Sequence, residues 1–284
     1  MAFYLLGLSI LLVFLPFKPS IIKIPVWCAS FLIAVLLGVI EGILSIQGLA
    51  VIFVYSVLLL ASLGLRVVWL RRVAVGIFGV FSLALAMHLL PGFSNYAVLV
   101  REPVSSDGIP FSLYANFDKG LVGLFLLGYF FRGQARVGYF MALQNPKKAL
   151  VIFFATPCLA LGLALLFGLI HLDVKLPHFW LAFLGINLLF TCVAEEAFFR
   201  GFIQRGLSNW LEGKLSLFVA PLITALLFGV AHIGGGVEYA VVAGVAGLGY
   251  GYLYYLTKRI EWSILCHFIV NILHLLLFTY PMLA

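Results

Sequence analysis

Charged residues are scarce in this 284-residue chain, and their scarcity decides its class. Only 10% of the residues are Asp, Glu, Lys or Arg, whereas 64% are hydrophobic, and the mean hydropathy is +1.20. Soluble domains carry about 25% charged residues, so the composition excludes an ordinary soluble protein. The formal net charge is +7, but the basic residues form no stripe or tail. We therefore predict no nucleic-acid partner.

Cysteine is also scarce. The four cysteines lie in separate apolar stretches: Cys28, Cys158, Cys192 and Cys266. No C-x-x-C pair and no regular spacing occurs, so neither a zinc ribbon nor a disulfide framework is indicated. We interpret them as small apolar packing residues. Residues 1–17 lack a basic n-region and a small-residue cleavage site, which favours a retained first helix over a signal peptide.

The chain is rich in long apolar stretches. About 20 apolar residues are needed to span a bilayer as a helix. Stretches near this length cover residues 2–17, 26–45, 48–65, 73–90, 120–131, 149–170, 179–199, 215–233, 239–256 and 262–281. We predict an all-α fold, a polytopic transmembrane helical bundle of about eight to ten spans. The 120–131 stretch is short, so it either begins earlier, near Phe111, or is only partly inserted.

Basic residues fall in alternate gaps between the apolar stretches. These gaps contain Lys18, Lys23, Arg66, Arg71, Arg72, Arg132, Arg136, Lys147, Lys148, Arg200, Arg205, Lys214, Lys258 and Arg259. With ten spans all of them lie on one side, and the positive-inside rule makes that side cytoplasmic. We therefore expect an integral protein of the bacterial inner (plasma) membrane, with its site facing the cytoplasm and the loop 91–119 on the opposite side.

The polar residues divide the chain unequally. Residues 1–140 contain few charges at membrane depth, essentially Glu41 and His88, and are predicted to be N-terminal transmembrane helices of unclear role. Glu41 is either a gating or substrate-contact residue or a carboxylate hydrogen-bonded near a helix end. His88 is interpreted as interfacial. Residues 141–284 form the second part of this division.

Three short polar patterns interrupt the apolar C-terminal half. They are Glu195-Glu196-x-x-x-Arg200, Phe228-x-x-x-His232 and His267-x-x-x-Asn271. An ionisable side chain at membrane depth costs about 2.5–3.5 kcal/mol even on lenient insertion scales, and it is by default a hypothesis of function. Together, the carboxylates, the guanidinium and the imidazoles indicate a site that activates water.

Each pattern also has a structural interpretation. Glu196 and Arg200 can pair at i,i+4, while Glu195 points about 100° away around the helix, so the two carboxylates are expected in different environments; a salt bridge at a helix end with a spare surface Glu is the alternative. His232 precedes three glycines and could be a packing residue. His267 and Asn271 share a helix face, where they could present two donors to an oxyanion or form an interhelical polar clamp.

Together, in this order, the patterns resemble the CPBP (CAAX protease and bacteriocin-processing, or Abi) family of intramembrane proteases, which is similar to type II CAAX prenyl endopeptidases. The resemblance covers roughly residues 150–280, and it implies that residues 141–284 form a catalytic transmembrane core. It implies that Glu195, assisted by His232, activates water, while His267 and Asn271 stabilise the oxyanion. It also implies that Glu196 and Arg200 hold the first motif in place.

The resemblance implies an endopeptidase that acts on a peptide or membrane-protein substrate within the lipid bilayer. No H-E-x-x-H occurs, and the spacing defines no tetrahedral zinc site, so we favour glutamate-dependent hydrolysis, with a divalent metal such as zinc left open as a cofactor. The alternative class is a non-enzymatic membrane protein, either a bacteriocin-immunity-type binding protein or a transporter. The oligomeric state is not predicted.

Overall fold

The computed structural model describes residues 1–15, 25–131, 146–211 and 213–284. The chain forms two compact units. The first comprises Met1–Tyr96, Tyr114–Phe140 and Leu189–Phe198, and the second Ala97–Leu113, Met141–Leu188 and Phe199–Ala284. The predicted division between residues 140 and 141 concerned function, and it stays a prediction.

The described part of the first unit is built from apolar helices. They are α1 (Ala2–Val13), α2 (Val26–Ile40), α3 (Ile46–Gly64), α4 (Val68–Ala86) and α5 (Phe117–Phe130). α1 packs against α2 and α5, and α3 packs against α4. Tyr55 of α3 is fully buried and stacks on Phe78 and Phe125, so aromatic side chains join α3, α4 and α5.

Helix α5 is the short apolar stretch of the sequence. It begins at Phe117, whereas Phe111 begins a β-strand, so the earlier helix start considered near Phe111 is wrong. Its 14 residues span about 21 Å, less than the ~30 Å hydrocarbon thickness. Most of its side chains are buried, so α5 is a core helix of its unit.

The second unit carries a small sheet and the longer helices. Strands β1 (Tyr96–Glu102) and β2 (Phe111–Ala115) pair within the predicted loop 91–119. The helices are α6 (Pro146–Leu166), α7 (Trp180–Trp210, shared with the first unit), α8 (Gly213–Ala231), α9 (Val237–Thr257) and α10 (Ile260–Leu277). α9 packs against α6, α8 and α10, and α10 also packs against α6.

Helix α7 differs from the stretch predicted at 179–199, because it continues to Trp210. The predicted stretch stopped before Arg200, although Glu195 and Glu196 already lie within it. The structure buries Arg200 completely, so its charge does not end the helix. Two π-helical segments, Asn187–Cys192 and Ala197–Gln204, flank the four residues Val193–Glu196. π-Bulges are frequent at functional sites.

Length and exposure support a membrane location. Among the described residues, six helices are long and apolar enough to cross a bilayer, and Ala2–Val13, Val26–Ile40 and Leu215–Ala231 are shorter apolar helices. Large apolar side chains on these helices are exposed, such as Phe53 (69%), Phe154 (65%) and Leu226 (61%). Hydrocarbon is a suitable neighbour for such surfaces. The predicted all-α polytopic bundle is therefore confirmed, and the protein is an integral membrane protein.

Candidate active site

A small cavity of about 70 Å³ lies within the second unit. Its wall comes from α6, α8, α9 and α10 and includes three predicted site residues, His232, His267 and Asn271. None of the lining residues is Asp, Glu, Lys or Arg. The cavity therefore combines a few polar side chains with an apolar wall, as ligand sites usually do.

Four alanines from two neighbouring helices, α6 and α9, form one part of the apolar lining, which we call the alanine wall: Ala160, Ala164, Ala243 and Ala246. The lining continues to Ile170 and Met282, beyond the C-terminal ends of α6 and α10. The cavity thus reaches the end of the second unit that is opposite the Lys258-Arg259 turn between α9 and α10.

His232 follows the last residue of α8, where the helix changes its hydrogen bonding. The backbone N–H of His232 donates to the Gly229 carbonyl (2.9 Å), and its Nδ1 lies 2.8 Å from the Phe228 carbonyl oxygen. Because a carbonyl can only accept, Nδ1 must carry the hydrogen. The neutral imidazole therefore keeps its lone pair on Nε2, the form that a general base requires.

Phe228 has a packing role that explains its place in the second pattern. Its ring lies 4.5 Å from the His232 ring and 5.6 Å, edge to face, from the His267 ring. Phe228 is buried and lines the cavity. One aromatic side chain therefore restricts the orientation of both imidazoles.

His267 and Asn271 lie on one face of α10 and both line the cavity. The His267 ring stacks on Tyr250 of α9, with centroids 4.9 Å apart and planes 15° from parallel. The Asn271 amide Nδ2 donates to Asn187 Oδ1 at 3.1 Å. These contacts fix both polar side chains against neighbouring helices. The Asn271–Asn187 hydrogen bond is an interhelical polar clamp. Because His267 and Asn271 also line the cavity, the clamp does not prevent them from acting as a pair of donors.

Arg200 is enclosed by aromatic rings, an arrangement we call the Arg200 cage. Its guanidinium carbon lies 4.9 Å from the Phe228 centroid, 5.3 Å from that of Tyr250 and 5.7 Å from that of Phe199. Arg200 Nη2 also donates to the Gly247 carbonyl at 2.7 Å. Cation–π contacts and a charge-assisted hydrogen bond stabilise a buried guanidinium.

Glu195 and Glu196 lie on the short α-helical segment Val193–Glu196, which belongs to the first unit. Glu196 is fully buried, and Glu195 is partly exposed. The segment packs closely on α5, because a Cβ at Gly123 would lie 3.1 Å from Val193 Cγ1 and 3.4 Å from the Ala194 nitrogen. That these two carboxylates act with the residues of the second unit stays a prediction.

Sequence reasoning missed several side chains of the site. Tyr239 lines the cavity, while Tyr250 and Asn187 contact His267 and Asn271. His274, which the sequence indicates as a weaker candidate because it lies one heptad after His267, also lines the cavity. No comparable pattern marks Tyr250 or Asn187, because their roles depend on which helices become neighbours.

Glu41 and His88 both belong to the first unit. Glu41 is the C-terminal cap of α2, and its carboxylate accepts from the Ala2 backbone N–H at 3.2 Å. This is the hydrogen-bonded arrangement near a helix end. His88 Nδ1 lies 2.6 Å from Asp118 Oδ2, and its Nε2 lies 3.3 Å from Asn116 Nδ2. His88 is thus part of a side-chain network.

The His, Cys, Asp and Glu side chains of the described residues are the possible metal ligands of this site. A catalytic zinc ion takes three protein ligands. Three imidazoles, those of His232, His267 and His274, line the cavity, but no group of three His, Cys, Asp or Glu side chains placed to hold one metal ion occurs within the described residues. The described donors therefore do not fit a three-ligand zinc site, and the chemistry proposed below uses the chain's own groups.

Comparison with known proteins identifies this part of the chain. Residues 177–273 match the Rce1-like family model, described as type II CAAX prenyl endopeptidase Rce1-like. The predicted resemblance to the CPBP family is thereby confirmed. No curated protein and no solved structure matches the chain. The matched segment contains all six predicted site residues, and the match supports an intramembrane endopeptidase in general.

Proposed function

We propose that the protein hydrolyses a peptide bond in a membrane-associated protein or peptide, with water activated by Glu195 and His232. One observation carries the proposal: His232, His267 and Asn271 line a single cavity inside the segment that matches a protease family. The motif resemblance assigns Glu195 and Glu196 to the same site.

The chemistry needs a base, an oxyanion site and a proton for the leaving amine. Glu195, assisted by His232 through its Nε2 lone pair, takes a proton from water as the water oxygen bonds to the substrate carbonyl carbon. His267 and Asn271 donate to the developing oxyanion. The C–N bond then breaks, and the proton held by the base passes to the amine. Glu196 and Arg200 position the first motif.

The cavity favours an apolar substrate segment. Its alanine wall leaves space beside the polar groups, and no Asp, Glu, Lys or Arg lines it. A charged substrate residue placed there would lose its hydration without an opposite charge to pair with. An apolar peptide delivered from the bilayer would not incur this cost.

The test uses purified protein in detergent and a library of apolar peptides, with products identified by mass spectrometry. Wild-type protein should cleave members of the library, whereas Glu195→Ala should not, although it elutes as a folded monodisperse species. A matched control is Glu238→Ala, because Glu238 is an exposed glutamate at the start of α9. Cleavage retained by Glu195→Ala, or lost equally in the control, would contradict the assigned role.

Metal dependence is tested separately. Because the base and the oxyanion donors are protein side chains, exhaustive chelation should leave hydrolysis largely intact, and elemental analysis should find less than one zinc per chain. Stoichiometric zinc that disappears together with activity in His232→Ala would instead show that the imidazole is a ligand.

We further propose that the Lys258-Arg259 turn faces the cytoplasm, on the basis of the positive-inside rule. Because the cavity reaches the opposite end of the second unit, this topology directs the cavity away from the cytoplasmic side, contrary to the orientation expected from the sequence. Asn209 near the end of α7 and Ser106 between β1 and β2 are both exposed. In a background without the native cysteines, Ser106→Cys should react with a membrane-impermeant thiol reagent on intact cells, and Asn209→Cys should not. The reverse pattern would invert the topology.

A further inference from the structure

Two side chains of α7 bind two backbone carbonyls of α9 with the same spacing. Arg200 Nη2 donates to the Gly247 carbonyl at 2.7 Å, and Gln204 Nε2 donates to the Gly251 carbonyl at 2.8 Å. Arg200 and Gln204 are both fully buried, and all four residues belong to the second unit. The paired bonds fix both the rotation and the longitudinal register of this part of α7 against α9.

The two glycines lie where the helices approach closely, and a side chain at either position would crowd its neighbours. A Cβ at Gly247 would lie 3.2 Å from Phe228 Cβ and 3.3 Å from Arg200 Nη2. A Cβ at Gly251 would lie 3.1 Å from Gln204 Oε1. The Gly-x-x-x-Gly spacing of α9, which on sequence alone indicates helix packing, therefore exposes two carbonyl groups to side-chain donors.

Gln204 also contacts a third helix. The hydroxyl of Thr224 on α8 lies 3.3 Å from Gln204 Oε1, and its single hydrogen also has the Ala220 and Pro221 carbonyls within reach, at 2.9 and 3.1 Å. Thr224 is fully buried. The amide of Gln204 thus joins α7, α8 and α9 at one point, using its donor and its acceptor in different directions.

The helices that Gln204 joins also carry the aromatic rings that contact the His232 and His267 imidazoles. α9 carries Tyr250, directly before Gly251, and the Tyr250 ring forms part of the Arg200 cage and stacks on His267. α8 carries Phe228, which contacts the rings of His232 and His267. A change in the register of α7 against α8 and α9 would therefore alter the rings that orient both histidines.

We propose that Gln204 is a positioning residue of the site, acting through α9 and Tyr250 on His267. Gln204 is not among the residues that line the cavity, so its role is distinct from substrate contact. The expected change in kcat rests on the proposed hydrolysis, whereas the expected change in the surroundings of His267 does not.

Two variants test the role. Gln204→Met keeps the side-chain length and loses the amide that donates to the Gly251 carbonyl. Gly251→Ala keeps the carbonyl but adds a Cβ that would lie 3.1 Å from Gln204 Oε1, so the amide must shift. Gln47→Met is the control for the first because Gln47 is exposed, and Gly162→Ala for the second because no atom lies within 4 Å of a Cβ there. Misplacement of a catalytic group by about 1 Å costs ~100-fold in rate. We expect kcat to fall between about 10-fold and 100-fold, with KM changed less than about twofold.

A second measurement does not depend on turnover. The parallel Tyr250 ring should shift the His267 ring-proton NMR signal, assigned by its loss in His267→Gln in histidine-labelled protein in micelles. In Gln204→Met and Gly251→Ala the signal should move toward its position in Tyr250→Leu, and in both controls it should stay at the wild-type position.

The two readouts separate the possible failures. If wild-type protein cleaves nothing but the signal moves as expected, the hydrolytic function fails and the positioning role stands. If wild-type protein is active, and folded Gln204→Met and Gly251→Ala keep both kcat and the His267 signal, the positioning role is wrong. Should Gln204→Met not fold, Gly251→Ala alone decides the question by the same two readouts.

Discussion

The two units each place a histidine beside an asparagine and other polar groups, but with different consequences. In the first unit, Asp118 and Asn116 contact both ring nitrogens of His88, at 2.6 and 3.3 Å. In the second unit, the hydrogen bond from His232 Nδ1 goes to a backbone carbonyl, and His232, His267 and Asn271 line a cavity. A buried polar group suits catalysis when it also faces space that a substrate can enter.

The two clusters of side chains, one around His88 and one around His267, are also held in place by different contacts. Asp118 is only 2% exposed, so its partner His88 offsets the cost of burying a carboxylate. His267 is held by ring contacts with Tyr250 and Phe228. We therefore assign a structural role to the first cluster and a chemical role to the second, and substitutions can test each assignment.

The largest expected effect is on hydrolysis. His232→Ala and His267→Ala should each lower kcat/KM by about 10²- to 10⁴-fold, the usual contribution of a positioned acid–base group. His88→Ala should leave kcat of the folded fraction within about twofold of wild type, because its losses concern folding rather than the transition state. Cleavage kinetics on one peptide, corrected for folded protein, would measure all three. Equal losses in the three variants would remove the distinction between the clusters.

A smaller effect is expected on the stability of the first unit. Asp118→Ala removes the carboxylate that binds His88 and also accepts from the Lys119 backbone N–H at 2.9 Å. A hydrogen bond contributes about 0.5–1.5 kcal/mol net, and because the His88 side chain is 38% exposed, water replaces part of the contact that is lost. Thermal unfolding in detergent should show a lower midpoint, with kcat unchanged at temperatures where the variant is folded. An unchanged midpoint together with lost activity would assign Asp118 to the chemistry instead.

The smallest effect concerns an ion pair in the link between α6 and α7. The Ser105 hydroxyl and the Lys175 ammonium, 3.0 Å away, hold the pKa of the Asp173 carboxyl below its ordinary value. A lowered pKa contributes stability above the unfolded-state pKa of about 3.9, and that stability is lost as pH falls through the folded-state pKa. Asp173→Asn should therefore destabilise the protein at pH 7 by less than about 1 kcal/mol. The difference in unfolding midpoint from wild type should shrink below pH 4; a constant difference would exclude the ion pair as its cause.

Much of the fold follows from the sequence because hydrophobic length is a local property. Apolar runs gave the helices of both units, but the end of α7 was misplaced because the burial of Arg200 depends on Gly247, 47 residues later. The same limit applies to the strands in loop 91–119. Neither their pairing nor the burial of α5 is encoded in the polarity of a single segment.

In the candidate site, too, some features follow from spacing within one helix, and others depend on contacts between residues far apart in the sequence. His267 and Asn271 share a face because they are four residues apart, and this spacing is visible in the chain. The tautomer of His232 depends on how α8 ends, and the stacking of His267 depends on Tyr250 of α9. Gln204 was missed because a single buried glutamine has no distinctive spacing until Gly251 and Thr224 become its neighbours.

Hydrolysis in ¹⁸O-labelled water tests the central claim most directly. Wild-type protein and Glu195→Ala would be incubated with the same apolar peptide, and the new C-terminal fragments would be weighed by mass spectrometry. The account predicts one ¹⁸O atom in the new carboxyl group with wild-type protein and no fragment with folded Glu195→Ala. Fragments of the same mass and at the same rate from Glu195→Ala would contradict it.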